Sequence, residues 1–417
     1  MRIAFLTPEF VTEPYFSGGL ANYIYRLCTA LLQRGHEVHV ITYSEQDDSE
    51  CDYQGIQVYR ISASEKALAR LNALTFSRLR STTKWLVLSY QYYAKLRELH
   101  RRRPLDIVQY ANYNFCGLVS SLLLPLPAML RISTYSPVWH DRLGARRTAD
   151  MKAVEWLERF QLYLSKNIYA PSYTLKRMVE QQAGVKGIAV IRTPVFIETR
   201  DWDNSVYGGK FQGKQYLLFI GRFQLHKGFH ILAQALPRLF KLHPDCCAVL
   251  AGLDIPTPMA ESMKDYARSL CGEYADRLIF IGQIAHEQLY PVIKGARLVV
   301  LPSLIDNLPN ACLEAMALGK PVVGTRGASF EEMIREGETG FLVTPGDSAA
   351  LADKLCEAWV HPQLEEIGRA AQADAQAYDP DETVQALLDY AQEVIDQSRL
   401  HFRRRRADRA YAGRESI

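Results

Sequence analysis

Nowhere in the 417 residues do two cysteines take the CxxC spacing, although the chain has eight of them, at positions 28, 51, 116, 246, 247, 271, 312 and 356. Several sit in apolar runs, which argues against a zinc site or a disulfide framework and for reduced thiols in a cytosolic protein. The opening MRIAFLTPEF lacks the build of a signal peptide and reads as a strand. The longest apolar stretch, around 117–130, is broken by Pro125 and Pro127 and falls short of a bilayer span. Strong overall charge is also missing: the net charge is +3. What imbalance exists is local, because residues 399–417 carry seven Arg against Asp408 and Glu415. The remaining composition, 48% hydrophobic and 23% charged, is that of a soluble globular protein. The length exceeds what one core usually serves, so two domains are expected.

What is present is a strand–helix alternation that runs twice. RIAFLTP (2–8) reads as a strand, SGGL (17–20) as a glycine loop, ANYIYRLCTALLQRG (21–35) as an amphipathic helix and EVHVITY (37–43) as a second strand. Strands follow at 55–62, 106–112, 128–134, 167–172 and 188–195, with helices near 78–101, 114–123 and 149–166. Residues 198–214 have the composition of a linker or exposed loop. The alternation restarts with strands at 215–223, 246–252, 277–284, 297–303, 321–326 and 340–345. Helices fall between them, including 228–244 and the apolar stretch after Pro309. Such a pattern predicts parallel sheets covered on both faces. Ligands of open α/β sheets bind beyond the carboxyl ends of the strands.

Three motifs lie just after strands. SGGLANY opens the first helix, and two glycines there let a phosphate or sugar approach the backbone, though a structural turn fits equally. GRFQLHKG (221–228) places Arg222 and Lys227 on a glycine-bounded loop. Such cations suit the phosphates of a nucleotide diphosphate and would stabilise charge on a leaving diphosphate without a metal; the alternative is a solvated basic loop. In PSLIDNLPNACLEAMALGKPVV (302–323), Pro309 suits a first helical position and Gly319 with Pro321 a stop. The helix between them is apolar all round except for Glu314. A buried carboxylate is costly unless paired. Either it is a core acid bonded to protein, or its partner is a ligand.

GRF…KG, Asp306, Glu314 eight positions on, and EEMI…GETGFLVTPGD (331–347) resemble the GT-B glycosyltransferases of the large retaining family 4. The N-terminal half resembles them more loosely, through GGL…L…RGHEVHVIT. The resemblance implies an α/β GT-B fold, two Rossmann-like domains with parallel sheets facing across a cleft. Residues 1–196 would form the acceptor domain, 197–375 the donor domain, and 398–417 a basic flexible tail. The chain would cross back near Tyr378–Pro380 so that helix 381–397 packs on the first domain. Glu314 would accept bonds from ribose hydroxyls, and Asp306 would stand near the donor sugar. The backbone from Asn307 through Leu308 and Pro309 to Asn310 would contact the sugar's outer hydroxyls. Arg222 and Lys227 would hold the diphosphate, faced by Gly18 and Gly19, with Gln283 beside the base. Two positions depart from the family. Asp306 stands where Glu is usual, and Ser133 where many members carry a His; His140 lies seven residues on.

The resemblance implies transfer of a sugar from a UDP- or GDP-sugar to an acceptor hydroxyl with retention. Arg222, Lys227, Asp306 and Glu314 would form the catalytic set, and no cofactor or metal would be required. No carboxylate is an obvious nucleophile, which favours front-face attack with the departing diphosphate taking the acceptor proton. Residues 78–103 pack eight cations among Trp85, Tyr90, Tyr92 and Tyr93 against the single acid Glu98. This segment and the 399–417 tail suit anionic lipid heads, while a solvated helix with core aromatics fits the first of them equally. A lipid-linked or polysaccharide acceptor of envelope glycan synthesis, at the inner face of the membrane, follows as an expectation. Nucleic acid is not expected, since no recognition module accompanies the charge. The rivals are a nucleotide-sugar epimerase or hydrolase on the same fold, and a non-catalytic nucleotide-sugar-binding subunit.

Overall fold

The computed structural model describes residues 1–13, 19–46, 48–144, 146–194, 197 and 202–412. Two compact units emerge. One comprises Met1–Pro171, Leu175–Pro194 and the chain from Pro380 onward; the other comprises Ser172–Thr174 and Val195–Asp379.

The first unit is built on an eight-stranded sheet. Its strands are β1 (Arg2–Thr7), β2 (Glu37–Tyr43), β3 (Ser49–Tyr53), β4 (Ile56–Ile61), β5 (Ile107–Ala111), β6 (Ala128–Arg131), β7 (Ile168–Ala170) and β8 (Ala189–Val190). They lie in the order β3-β4-β2-β1-β5-β6-β7-β8, and every neighbouring pair is parallel except β3 with β4. The central strands are apolar runs, as strands covered on both faces must be. Helix Gly19–Gln33 buries Tyr23, Ile24, Leu27, Cys28 and Leu31 along one face, and Gly35 in the left-handed region (φ 76°) ends it. No helix among the described residues is long and apolar enough to cross a membrane.

The second unit holds a six-stranded parallel sheet. Its strands are β9 (Gln215–Ile220), β10 (Cys246–Ala251), β11 (Leu278–Gly282), β12 (Leu298–Leu301), β13 (Val322–Thr325) and β14 (Gly340–Val343), in the order β11-β10-β9-β12-β13-β14. The chain runs outward from β9 through β10 to β11 and then returns to β12 on β9's other side. The crevice between the loops after β9 and β12 is therefore the switch point at which open sheets bind ligands.

Several elements differ from the sequence expectation. The polar segment Ser49–Tyr53 is an edge strand, joined to β4 by Gln54 and Gly55, both at positive φ as a tight hairpin turn requires. Helices also form at Glu65–Leu74, Ser136–Arg142, Tyr173–Ala183 and Leu364–Ala375. The expected linker contains helix Ser205–Lys210. Pro309 is the N-cap residue and the helix proper is Asn310–Ala317. The final helix spans Pro380–Ala412, so residues 398–412 continue it; the rest of the basic segment lies outside the described residues. Arginine is a good helix former, and no glycine or proline interrupts that run before Gly413. All eight cysteines are free, five of them buried.

Candidate functional site

In the second unit, Gly221 and Gly228 bound the loop that follows β9. Gly228 has φ 68°, and a Cβ there would lie 1.8 Å from the carbonyl oxygen of Pro302, so only glycine lets this loop pass so close to the loop after β12. The backbone N–H of Leu304 donates to the carbonyl of His226 (2.8 Å), fastening the two loops together. With the loops so joined, Lys227 Nζ donates to Asp306 Oδ2 at 2.6 Å. Asp306 also accepts from the backbone N–H of Asn307 (3.0 Å) and from Ser303 Oγ (3.4 Å). Arg222 is half-buried on the same loop.

His226, between these cations, was not singled out by the sequence. Burial pushes its imidazole down to about 4, and the neighbouring charges of Lys227 and Arg222 push the same way against Asp306. It is neutral at physiological pH and adds no further positive charge to the loop.

Helix Asn310–Ala317 buries Cys312, Leu313, Ala315 and Met316 around Glu314, itself 4% exposed. It ends in a Schellman motif: Gly319 N–H donates to Met316 O (2.8 Å) and Lys320 N–H to Ala315 O (2.9 Å). Glu314 Oε1 lies 3.6 Å from Nε2 of His286, the first residue of helix His286–Gly295. His286 is a second neighbour that the sequence did not flag. Leu308 and Pro309 are buried, Asn307 and Asn310 half-buried, and Gln283 is exposed just past β11. Arg222, Lys227, Asp306 and the 307–309 backbone thus come from adjacent loops at the carboxyl ends of β9 and β12, and Asn310 and Glu314 from the helix that follows the second loop. Gln283 comes from the far end of the sheet order.

The remaining predicted residues lie in the first unit. Gly19 begins helix Gly19–Gln33; Gly18 lies outside the described residues. Ser133 follows β6, its N–H donating to Asn112 Oδ1 (2.7 Å) and its Oγ accepting from Arg131 (2.9 Å). His140 Nδ1 meets Glu155 Oε1 at 2.6 Å, and Arg147 Nε reaches the same oxygen at 2.8 Å. Within helix Arg80–Arg102, Tyr92 is core and donates to Thr7 O (3.0 Å), whereas Tyr90 is 59% exposed. Lys84 sits over the Tyr43 ring, Lys95 pairs with Glu50 and Glu98, and Arg102 pairs with Glu98. Among the described residues no cluster of three or more His, Cys, Asp or Glu has the makings of a metal site.

Residues 214–360 match the family model described as glycosyl transferases group 1, and residues 17–199 match that of glycosyltransferase family 4. The chain is 25% identical over 390 residues to a phosphatidyl-myo-inositol mannosyltransferase of Mycobacterium leprae, a match covering 90% of this chain and 92% of the relative. Its fold is similar to that of sucrose-phosphate synthase from Thermosynechococcus elongatus, with TM-score 0.77, 17% identity and 95% and 100% of the two chains covered. It is also similar to Anabaena HepE in complex with UDP-glucose, with TM-score 0.67, 19% identity and 94% and 100% covered.

Proposed function

The chain belongs to the glycosyltransferases of family 4 and has the GT-B fold, and from that premise we propose that it moves a sugar from a UDP- or GDP-sugar to an acceptor hydroxyl with retention of configuration. The observation that carries the reading is the meeting of Lys227 and Asp306 at the switch point, with Arg222 on the same loop and buried Glu314 one helix turn beyond. Glu314 would accept from the ribose hydroxyls, bonds to a charged acceptor being worth about 1.5–3 kcal/mol each. Arg222 and Lys227 would neutralise the diphosphate as it leaves, and the diphosphate would take the acceptor proton on the front face of the sugar. Positioning and charge stabilisation supply the acceleration, and the scheme requires no metal. The UDP-glucose bound by HepE supports a nucleotide-sugar donor.

A lipid-linked or polysaccharide acceptor of envelope glycan synthesis, reached from the cytoplasmic face, is the acceptor reading we favour. The phosphatidyl-myo-inositol mannosyltransferase similarity supports it. So does the exposed side of helix Arg80–Arg102, where Tyr90 and Arg101 face solvent and suit anionic lipid heads.

The test is kinetic. Arg222→Ala should lower turnover far more than acceptor affinity, and wild-type turnover in that variant at saturating donor would overturn the assignment. Incubation with a panel of nucleotide sugars and a lipid-linked acceptor separates transfer from epimerisation, hydrolysis or binding without turnover.

A further inference from the structure

Arg131 ends β6 and is only 6% exposed. Its Nη1 donates to Ser133 Oγ (2.9 Å) and its Nη2 to Thr193 Oγ1 (3.2 Å), while the guanidinium lies 3.7 Å from the centroid of the Tyr23 ring. Among the described residues no carboxylate stands within ion-pair distance of it. A guanidinium has five N–H donors in a fixed fork, and here the described acceptors are two neutral hydroxyls. The Tyr23 face attracts the cation without cancelling its charge. Withdrawing an ion from water costs several kcal/mol, which two hydroxyl bonds and a ring face do not return.

The surroundings are held in place. Asn112, fully buried after β5, accepts from Ser133 N–H (2.7 Å) and donates to the carbonyl of Thr134, fixing the turn beyond Arg131. The Tyr23 hydroxyl meets that of Tyr169 (3.1 Å), which donates to Gln109 Oε1 (2.6 Å), so the ring beneath the guanidinium is anchored as well. A fixed cation with spare donors thus stands at the carboxyl end of a parallel strand, the edge at which such sheets receive ligands.

We propose that Arg131 recognises an oxyanion on the acceptor, so that the acceptor carries a phosphoester or a free carboxylate and is not a neutral sugar. The guanidinium fork meets two oxygens of that group, and the bound anion supplies the counter-charge. This inference rests on the reading of the first unit as the acceptor domain.

The test uses the full chain. Inorganic phosphate, glycerol 1-phosphate, glycerol and UDP are titrated by calorimetry at constant ionic strength into wild type, Arg131→Met and Arg131→Lys, with thermal melts to check folding. Wild type should bind glycerol 1-phosphate and not glycerol. Arg131→Met should weaken that binding by about tenfold or more, and Arg131→Lys, which keeps charge but not the fork, by a smaller factor. UDP affinity should stay within about twofold in all three, and saturating UDP should not displace the phosphoester. Should Arg131→Met not fold, the Lys variant alone decides. Absent phosphoester binding, binding of inorganic phosphate only, or binding indifferent to both substitutions overturns the proposal. Displacement by UDP overturns it too, by giving the anion site to the donor. Failure of wild type to bind UDP, and GDP in a parallel titration, would instead defeat the nucleotide-sugar reading.

Discussion

Lys227 and Asp306 stand 79 residues apart in sequence and 2.6 Å apart in space, one on the loop after β9 and the other on the loop after β12. Their side chains are 30% and 11% exposed. Pairs with that much solvent contribute only about 0–1 kcal/mol to stability, so the pairing is better explained by position than by folding. Lys227→Met and Asp306→Asn should each leave the urea midpoint nearly unchanged and lower turnover by about a hundredfold, with the double variant no worse than the poorer single one. Initial rates and denaturation curves on the four proteins check this. Parallel losses of rate and stability would contradict it.

Glu314 poses the second question, because His286 Nε2 lies 3.6 Å from its carboxylate. If the acid serves the nucleotide, Glu314→Gln should weaken UDP binding by about tenfold or more, the loss of a charged acceptor. His286→Ala should then leave UDP affinity close to wild type, since that imidazole is 40% exposed and dispensable. Calorimetry on the two variants reads both. Equal losses would make His286 the partner for which Glu314 is kept.

Much of this was legible in the chain. Apolar strands such as LVVL (298–301), buried at every residue, announce a parallel sheet, and glycines bounding GRFQLHKG announce a loop crowded by backbone. The edge strand SECDY escaped because it is polar on both faces, and its Gln54-Gly55 turn lacks the usual Asn-Gly signature. Helix Ser205–Lys210 escaped because it is six residues long and holds two glycines, whereas Glu65–Leu74 did offer a signal in Leu68, Leu71 and Leu74 at helical spacing. His226 and His286 escaped because their relevance lies in contacts across loops: a histidine inside a basic loop and one opening a helix look ordinary until Asp306 and Glu314 stand beside them. Arg131 looks like a strand-end arginine until it is seen to have no carboxylate beside it among the described residues.

Gly228 gives a test of the scaffold alone. Its φ is 68°, and a methyl group added there would come within 1.8 Å of Pro302 O. Gly228→Ala must therefore both strain the backbone and push the loops after β9 and β12 apart. The cost should be at least about 2 kcal/mol, from left-handed strain and overpacking together. Gly337→Ala, at φ 74° but with open space where its Cβ would go, isolates the strain and should cost clearly less. Urea unfolding of both variants compares them, and equal costs would remove the close approach as a cause.

Glu158 makes the pH behaviour predictable. It is fully buried; Oε1 accepts from Asn114 N–H (3.1 Å) and Ser136 Oγ (3.0 Å), and Oε2 from Ser136 N–H (3.2 Å), tying together the loops after β5 and β6. Burial pushes its carboxyl from an ordinary 4.5 up to about 7 against those three bonds, with a small push from Glu155. The folded state therefore holds this proton more tightly than the unfolded chain. The resulting stability is fully present below about pH 4.5 and is lost as the pH rises through about 7. Each tenfold in proton affinity is worth about 1.4 kcal/mol, so the loss approaches about 3 kcal/mol. Glu158→Gln has no proton to lose. The wild-type minus variant difference in urea stability should accordingly fall across that pH range and level off above it. A difference independent of pH would show that Glu158 holds its proton equally well folded and unfolded, its three donors cancelling its burial, and a difference that rises with pH would show that they outweigh it.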